Sequence, residues 1–209
     1  MLDLILPLEC GGCGAPSSRW CAACAAELAV RPDEPHVVTP REDPGVPVFA
    51  LGRYAGARRR AIVALKEHDR TDLLMPLAES VATALHTLIA WGLIVPPLTV
   101  VPAPTRSLAA RKRGGDPVAK IARAAAIGLT GVAVEPALAM RAFTRDSVGL
   151  SSAQRKRNIS GRVRQRIPVR GEAVVFDDVV TTGATAAEAV RVLQTSGAVV
   201  SAVLAIAHA

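Results

Sequence analysis

Two groups of residues in this chain have the types and spacing to do chemistry. The first runs Val174-Val175-Phe176-Asp177-Asp178-Val179-Val180-Thr181-Thr182-Gly183-Ala184-Thr185. An apolar run leads into adjacent carboxylates, a hydroxyl-rich loop with one glycine follows, and residues 186–193 read as a helix. A buried strand that ends in acid and opens a helix is how an α/β protein holds a phosphorylated sugar. The anion sits on the helix N-terminus, beyond the carboxyl end of the strand. Thr181, Thr182 and Thr185 offer hydroxyls, and the N–H groups around Gly183 and Ala184 lack intrahelical partners at a helix start. Those groups point at an incoming phosphate, whose charge the helix dipole favours. Gly183 permits close backbone approach or a positive φ. Asp177 and Asp178 have the wrong sign for phosphate; carboxylates suit sugar hydroxyls or a hard metal ion. A capped turn with solvated acids would explain one Thr or one Asp, but not the whole pattern directly after an apolar strand.

The second group is Cys10-Gly-Gly-Cys13, seven residues, then Cys21-Ala-Ala-Cys24. Two Cys-x-x-Cys knuckles can present four thiolates to one tetrahedral Zn²⁺, which makes a closed structural site. The separation is short, so the spacing predicts a compact knuckle module rather than a long-looped ribbon. A redox dithiol would sit beside a βαβ pattern, and none adjoins it. A disulfide staple would need an oxidising compartment. Trp20 lies between the knuckles and is expected to cover the metal.

These groups need elements to position them. Residues 1–30 read as the four-cysteine zinc-binding module, with a short helix over 22–30. Residues 31–47, with Pro32, Pro35, Pro40, Pro44 and Pro47, read as a linker or a loosely packed crossing segment. Residues 48–209 form the main domain. Strands are predicted over 48–54, 98–101, 133–140, 171–176 and 198–207, and helices over 57–66, 73–90, 117–129 and 185–195. Alternating strands and helices predict an α/β fold, a doubly wound and mainly parallel sheet flanked by helices. At 209 residues the chain can bury one substantial core. That core is aliphatic, because Trp20, Phe49, Tyr54, Trp91, Phe143 and Phe176 are all the aromatics. Their scarcity argues against an extended base-stacking platform.

The net charge of +7 is concentrated. Arg141, Arg145, Arg155, Lys156, Arg157, Arg162, Arg164, Arg166 and Arg170 stand against the single acid Asp146 across residues 141–170. A second run holds Arg106, Arg111, Lys112, Arg113, Lys120 and Arg123. Such clusters call for an anionic partner, a polyphosphate or a nucleic acid. The apolar start lacks a basic leader and carries Asp3, and Gly92, Pro96, Pro97 and Pro102 interrupt the hydrophobic stretch at 84–104. The expectation is a cytoplasmic protein without membrane insertion. His36, His68, His86 and His208 are dispersed, and none is assigned to a site. Lys66, Glu67 and Asp69 read as the polar end of a helix, with acceptor contact conceivable there.

The segment at 174–185 resembles the phosphoribosyl-pyrophosphate (PRPP) loop of type I phosphoribosyltransferases. The order of segments along nearly the whole chain is similar to the ComF/GntX family (competence protein F-like) within that superfamily. It is carried by the cysteine module, Tyr54-Ala-Gly-Ala-Arg58 through Lys66, and Val101-Pro-Ala-Pro104 with Arg111-Lys-Arg-Gly114. Gly149-Leu150-Ser151 with Arg155 and Asn158, and the loop itself, complete the series. Two stretches depart from the pattern. Gly115-Asp116-Pro117 follows Arg113-Gly114 where Phe-Asn-Gln is common, and Asp146-Ser147-Val148 precedes Gly149 where a Gln is expected.

The resemblance implies the type I phosphoribosyltransferase fold, with Asp177 and Asp178 on the ribose hydroxyls as catalytic residues. Thr181, Thr182, Gly183, Ala184 and Thr185 would hold the 5′-phosphate. Arg106, Arg111, Lys112 and Arg113 are the candidates for the pyrophosphate, and Arg155 and Arg157 for a closing loop. The implied activity is Mg²⁺-dependent transfer of ribose 5-phosphate from PRPP to an acceptor, with pyrophosphate release. The alternative is a competence-type, DNA-uptake protein that uses the pocket for binding or regulation, with single-stranded DNA or a competence-machinery protein as partner. A nucleotide-binding fold relative without chemistry is a third reading. The oligomeric state is left open.

Overall fold

The computed structural model describes residues 8–104, 115–140 and 161–209. Its centre is a six-stranded sheet in the order β1-β2-β8-β7-β3-β4. The strands are β1 (His36–Val38), β2 (Val48–Ala50), β3 (Leu98–Pro102), β4 (Val132–Val134), β7 (Gly171–Val180) and β8 (Ala198–His208). All neighbours pair in parallel except β1, which runs antiparallel to β2 at one edge. A separate antiparallel pair, β5 (Leu138–Met140) with β6 (Val163–Gln165), stands beside the sheet.

Both faces of the sheet are covered, which is what the unbroken apolar runs of β7 and β8 require of parallel strands. Strand residues alternate between two buried clusters. Val100, Val174, Phe176 and Leu204 pack with α2 (Gly56–Glu67), α3 (Leu74–Ala90) and α4 (Pro117–Ala126). Val101, Val175, Val203 and Ala205 pack with Ala186, Ala189, Val190 and Leu193 of α5 (Ala184–Thr195). Phe176 is the one aromatic of β7 and is fully buried. The helix α1 (Ala22–Leu28) carries Cys24 and Leu28 inward. By length and composition alone, residues Thr71–Ala90 could cross a membrane. In this fold Leu77, Val81, Ala84, Leu85 and Leu88 of that stretch belong to the core.

Several elements differ from their predicted extents, and the strand predicted over 48–54 ends at Ala50. The single strand predicted over 133–140 is two strands in two sheets, β4 and β5. Pro136, which has no N–H to give a ladder, lies between them. The helix predicted to reach 129 ends at Ala126, where Ile127 turns extended and Gly128 takes φ +84°. The loop strand, predicted over 171–176 with Val179 and Val180 continuing it before the turn, runs unbroken to Val180, where β8 lies alongside and pairs with it as far as Val180↔His208. Residues 31–47 do more than connect. They supply β1, and Glu42 donates its N–H to the Thr182 carbonyl at 2.8 Å.

Candidate functional site

β3 and β7 are neighbours whose outgoing connections run in opposite directions. After β3 the chain moves to β4 through α4 on one face; after β7 it moves to β8 through α5 on the other. The crevice at their carboxyl ends is a topological switch point, where open α/β sheets bind ligands. Ladder pairing of β3 with β7 stops at Pro102↔Phe176, and Ala103 donates a last hydrogen bond to the Phe176 carbonyl at 2.7 Å. Asp177 and Asp178 therefore lie just past the end of β3, open on that side, while β8 still holds them from the other.

Strand alternation separates the two acids. Asp177 shares a face with Val175 and lines a small cleft with residues 179–186, the threonine loop included. The cleft is small and opens to solvent. Asp178 shares a face with Phe176 and is buried, and there Lys66 of α2 reaches it in an ion pair with Oδ2. Asp177 Oδ1 accepts the N–H of Asp178 at 2.8 Å. Burial holds the Asp177 carboxyl well above the usual carboxylate range. The neighbouring charge and side-chain hydrogen bond of Asp178 add to this, while Lys66 and the Asp178 N–H pull the other way. An enclosed pair of carboxylates cannot carry two full charges cheaply, and the ammonium answers for one of them.

The loop turns through Gly183, whose φ of +86° is the left-handed region. A Cβ there would also run into the Glu42 carbonyl and meet Pro40 at 2.7 Å. Thr182 Oγ1 accepts the Ala184 N–H at 3.3 Å, and Thr181 and Thr182 are exposed. The first-turn N–H groups of α5 face the cleft with the helix dipole behind them. This arrangement can hold an anion at the loop and hydroxyl donors at the acids.

Arg106, Arg111, Lys112 and Arg113 lie outside the described residues, as do Gly149, Leu150, Ser151, Arg155, Lys156, Arg157 and Asn158. The described chain leaves β3 toward the first of these segments at the switch point itself. Lys66 sits at the polar helix end as expected, and from there it faces the acid pair. Glu42 and Pro40, from the proline-rich segment, pack on the threonine loop. Only helix packing and chain crossing bring these three in, and no local pattern announces them. A second cavity, about 290 Å³, opens beyond Leu65, the residue before Lys66. Leu74 and Pro117 give it apolar walls, and Asp69 and Lys120 give it charged edges.

The cysteines form a separate centre. All four sulfurs lie within 4.8 Å of one another, Cys10 and Cys24 buried, Cys21 half-buried and Cys13 exposed. Cys10 Sγ accepts N–H bonds from Gly12 at 3.4 Å and Cys21 at 3.3 Å. Burial opposes ionisation of Cys10, but the N–H donors of Cys21, Cys13 and Gly12 outweigh it and bring the thiol down to about 6. Burial pushes Cys24 up, helped by its hydrogen bonds to the other thiols. A divalent ion would reverse that, because a coordinating thiol gives up its proton. A Cβ on Gly12 would sit 2.5 Å from Cys24 Sγ and 2.8 Å from Trp20 Cζ3, so glycine is what lets the knuckle close under Trp20. The donor set and its spacing fit a structural Zn²⁺. Among the described residues this is the one group of three or more potential ligands gathered closely enough for a metal.

Contacts with α2 and the turn after it dock the module on the main domain. Glu27 Oε1 accepts the Ala57 N–H at 2.7 Å at the start of α2, and Arg60 Nε donates to the Gly12 carbonyl. Arg70 donates to the Arg19 carbonyl at 3.1 Å while holding Asp72 bidentately at 2.8 Å. The same helix thus meets the cysteine module at one end and the acid pair at the other. No family model and no curated protein matches this chain.

Proposed function

We propose that this chain is a PRPP-binding phosphoribosyltransferase of the ComF/GntX type, with the type I phosphoribosyltransferase fold. It transfers ribose 5-phosphate from PRPP to an acceptor and releases pyrophosphate. The observation that carries the reading is the strand–acid–threonine-loop–helix unit at the carboxyl ends of β3 and β7. The threonine loop and helix start lie beside Asp177 there, Asp178 follows it on the strand, and in the sequence a basic segment comes soon after β3.

In this reading residues 181–185 hold the 5′-phosphate through backbone N–H groups and hydroxyls. Asp177 and Asp178 accept the ribose hydroxyls and fix the ring, and their negative field favours the cationic character that develops at C1. The acceptor's lone pair forms the new bond to C1. The C1–oxygen bond breaks, its electrons leave with pyrophosphate, and the acceptor's proton is lost. Arg106, Arg111, Lys112 and Arg113 neutralise the departing pyrophosphate. Mg²⁺ arriving with PRPP would supply charge neutralisation on the phosphate and ribose oxygens, with few protein ligands of its own. The cavity beyond Leu65 is the space for an acceptor. Holding both partners in line is the main contribution of the fold.

A second reading keeps the pocket as a sensor on a nucleic-acid-handling protein, cytoplasmic like the first. The dense basic run over 141–170 favours it. Calorimetry with PRPP and Mg²⁺ tests both, with binding expected in the native chain and lost on Asp177→Asn with Asp178→Asn. Undiminished binding in that double variant removes the pocket assignment. Pyrophosphate release across bases, amines and nucleotides separates transfer from sensing. Single-strand binding that ignores salt, or survives alanine at Arg155, Lys156 and Arg157, counts against the second reading.

A further inference from the structure

Asp178 is the more enclosed of the two acids, with a side chain 7% exposed. Its Oδ2 has no hydrogen-bond partner among the described residues; the Lys66 ammonium is what it meets. Lys66 sits in the last turn of α2, where the helix dipole favours a cation. Its side chain is 28% exposed, so Lys66 is the member of the pair more open to solvent. Its charge also bears on Asp177. Two adjacent enclosed carboxylates without such a neighbour are hard oxygen donors of the kind divalent cations seek.

We infer that Lys66 is the built-in counter-ion of the acid pair, a positioning residue that holds the Asp178 carboxylate and bars free divalent cations from it. The role rests on reading Asp178 as an acceptor for sugar hydroxyls. A hydroxyl needs only one lone pair of a charged carboxylate and can share that group with an ammonium. A divalent cation at the same oxygen must first displace the ammonium and meets its repulsion. Lys66 therefore makes the site select a ligand that brings hydroxyl donors over one that brings bare charge.

Titration of the full zinc-loaded chain with Mn²⁺, followed by electron paramagnetic resonance, tests this. The native chain is expected to show no Mn²⁺ site at the acids, and Lys66→Met to gain one at least about tenfold tighter. Lys66→Arg should behave as native, and adding Asp178→Asn to Lys66→Met should abolish the gain. A folded Lys66→Met chain that binds Mn²⁺ no better than native overturns the inference, as does a Lys66→Arg chain as open as the Met variant. Should Lys66→Met fail to fold, Lys66→Gln serves in its place; failure of both shows a residue needed by the fold and also overturns it. PRPP calorimetry on the native chain keeps the two ideas apart. Absent PRPP binding with the Mn²⁺ gain present sinks the donor reading alone, and PRPP binding with no gain sinks the Lys66 role alone.

Discussion

The cysteine module and the acid–threonine site are assembled in opposite ways. Around the sulfurs the fully buried apolar set is thin, Cys10, Cys24 and Ala57, and α1 is seven residues long. That is too little apolar surface to order a segment without a metal or a partner surface. The acids and the loop end a ten-residue strand that is paired on both sides as far as Phe176 and buried between two helical layers. The strand region holds its fold by pairing and burial, while the cysteine module has only a thin core and its docking on α2 to order it unless a metal binds its thiols. α2 touches both, through Glu27 and Gly12 at its first turns and Asp178 at its last.

Metal removal should break the comparison open with the largest effect. A structural four-thiolate zinc site contributes on the order of 10 kcal/mol to the folding of the segment it holds. Chelation is expected to strip amide-exchange protection from residues 8–30 and leave β7 and β8 protected. A metal assay should find one zinc per chain beforehand. Equal loss of protection in β7 and β8 would show that the strand depends on the module as well. A native chain without zinc would end the metal assignment.

What could be read from the sequence follows the same division. The cysteine spacing and the Asp-Asp-x-x-Thr-Thr-Gly-x-Thr run are local patterns, and their local structure follows from residue types: a valine-rich strand, a glycine that accepts φ > 0, a helix start. Pro136 and Gly128 were local signals too, and giving them full weight would have split the strand at 133–140 and ended α4 earlier. Other features are tertiary. β7 runs unbroken to Val180 because the eleven residues of β8 lie beside it. Lys66 reaches Asp178 because α2 packs on the Phe176 face. Pro40 reaches Gly183 because the proline-rich segment crosses the sheet end. Periodicity within one segment carries no information about which other segment will face it.

Gly183→Ala is the next largest test, now on the preformed side. A left-handed backbone costs an L-residue about 1–2 kcal/mol. Crowding Glu42 and Pro40 adds about 1–3 kcal/mol of overpacking. Urea unfolding should register the sum while zinc content stays at native level, and a stability within error of native would refute the close approach. Glu27→Ala comes below it. A backbone N–H bonded to a carboxylate contributes about 1.5–3 kcal/mol. Its loss should loosen the module from α2 and raise exchange at residues 56–60, with the cysteines still metallated. If exchange at Lys66 and Asp178 rises as well, α2 transmits between the regions; if only its first turn responds, the regions are independent.

The smallest effect is a slope rather than a loss. Burial, with the charge and side-chain hydrogen bond of Asp178, raises the Asp177 carboxyl in the folded chain against the opposing pull of Lys66 and the Asp178 N–H. Over the window between its unfolded value, about 4, and the raised folded value, the native state holds a proton that the unfolded chain has released. The contribution of Asp177 to stability is therefore fully present below about pH 4 and falls as pH rises through that window. Asp72 runs the other way. Its bidentate bond to Arg70 lowers its carboxyl, so its contribution is lost as pH falls. Asp177→Asn removes the first term and leaves the second, along with the acid lability of the cysteine site. The native-minus-variant difference in Tm should decline steadily from pH 4 upward, and at alkaline pH the variant should be the more stable chain. A flat difference would mean that water reaches Asp177 freely, and the contrast between a preformed, enclosed site and a thin-cored module would then rest on the strand alone.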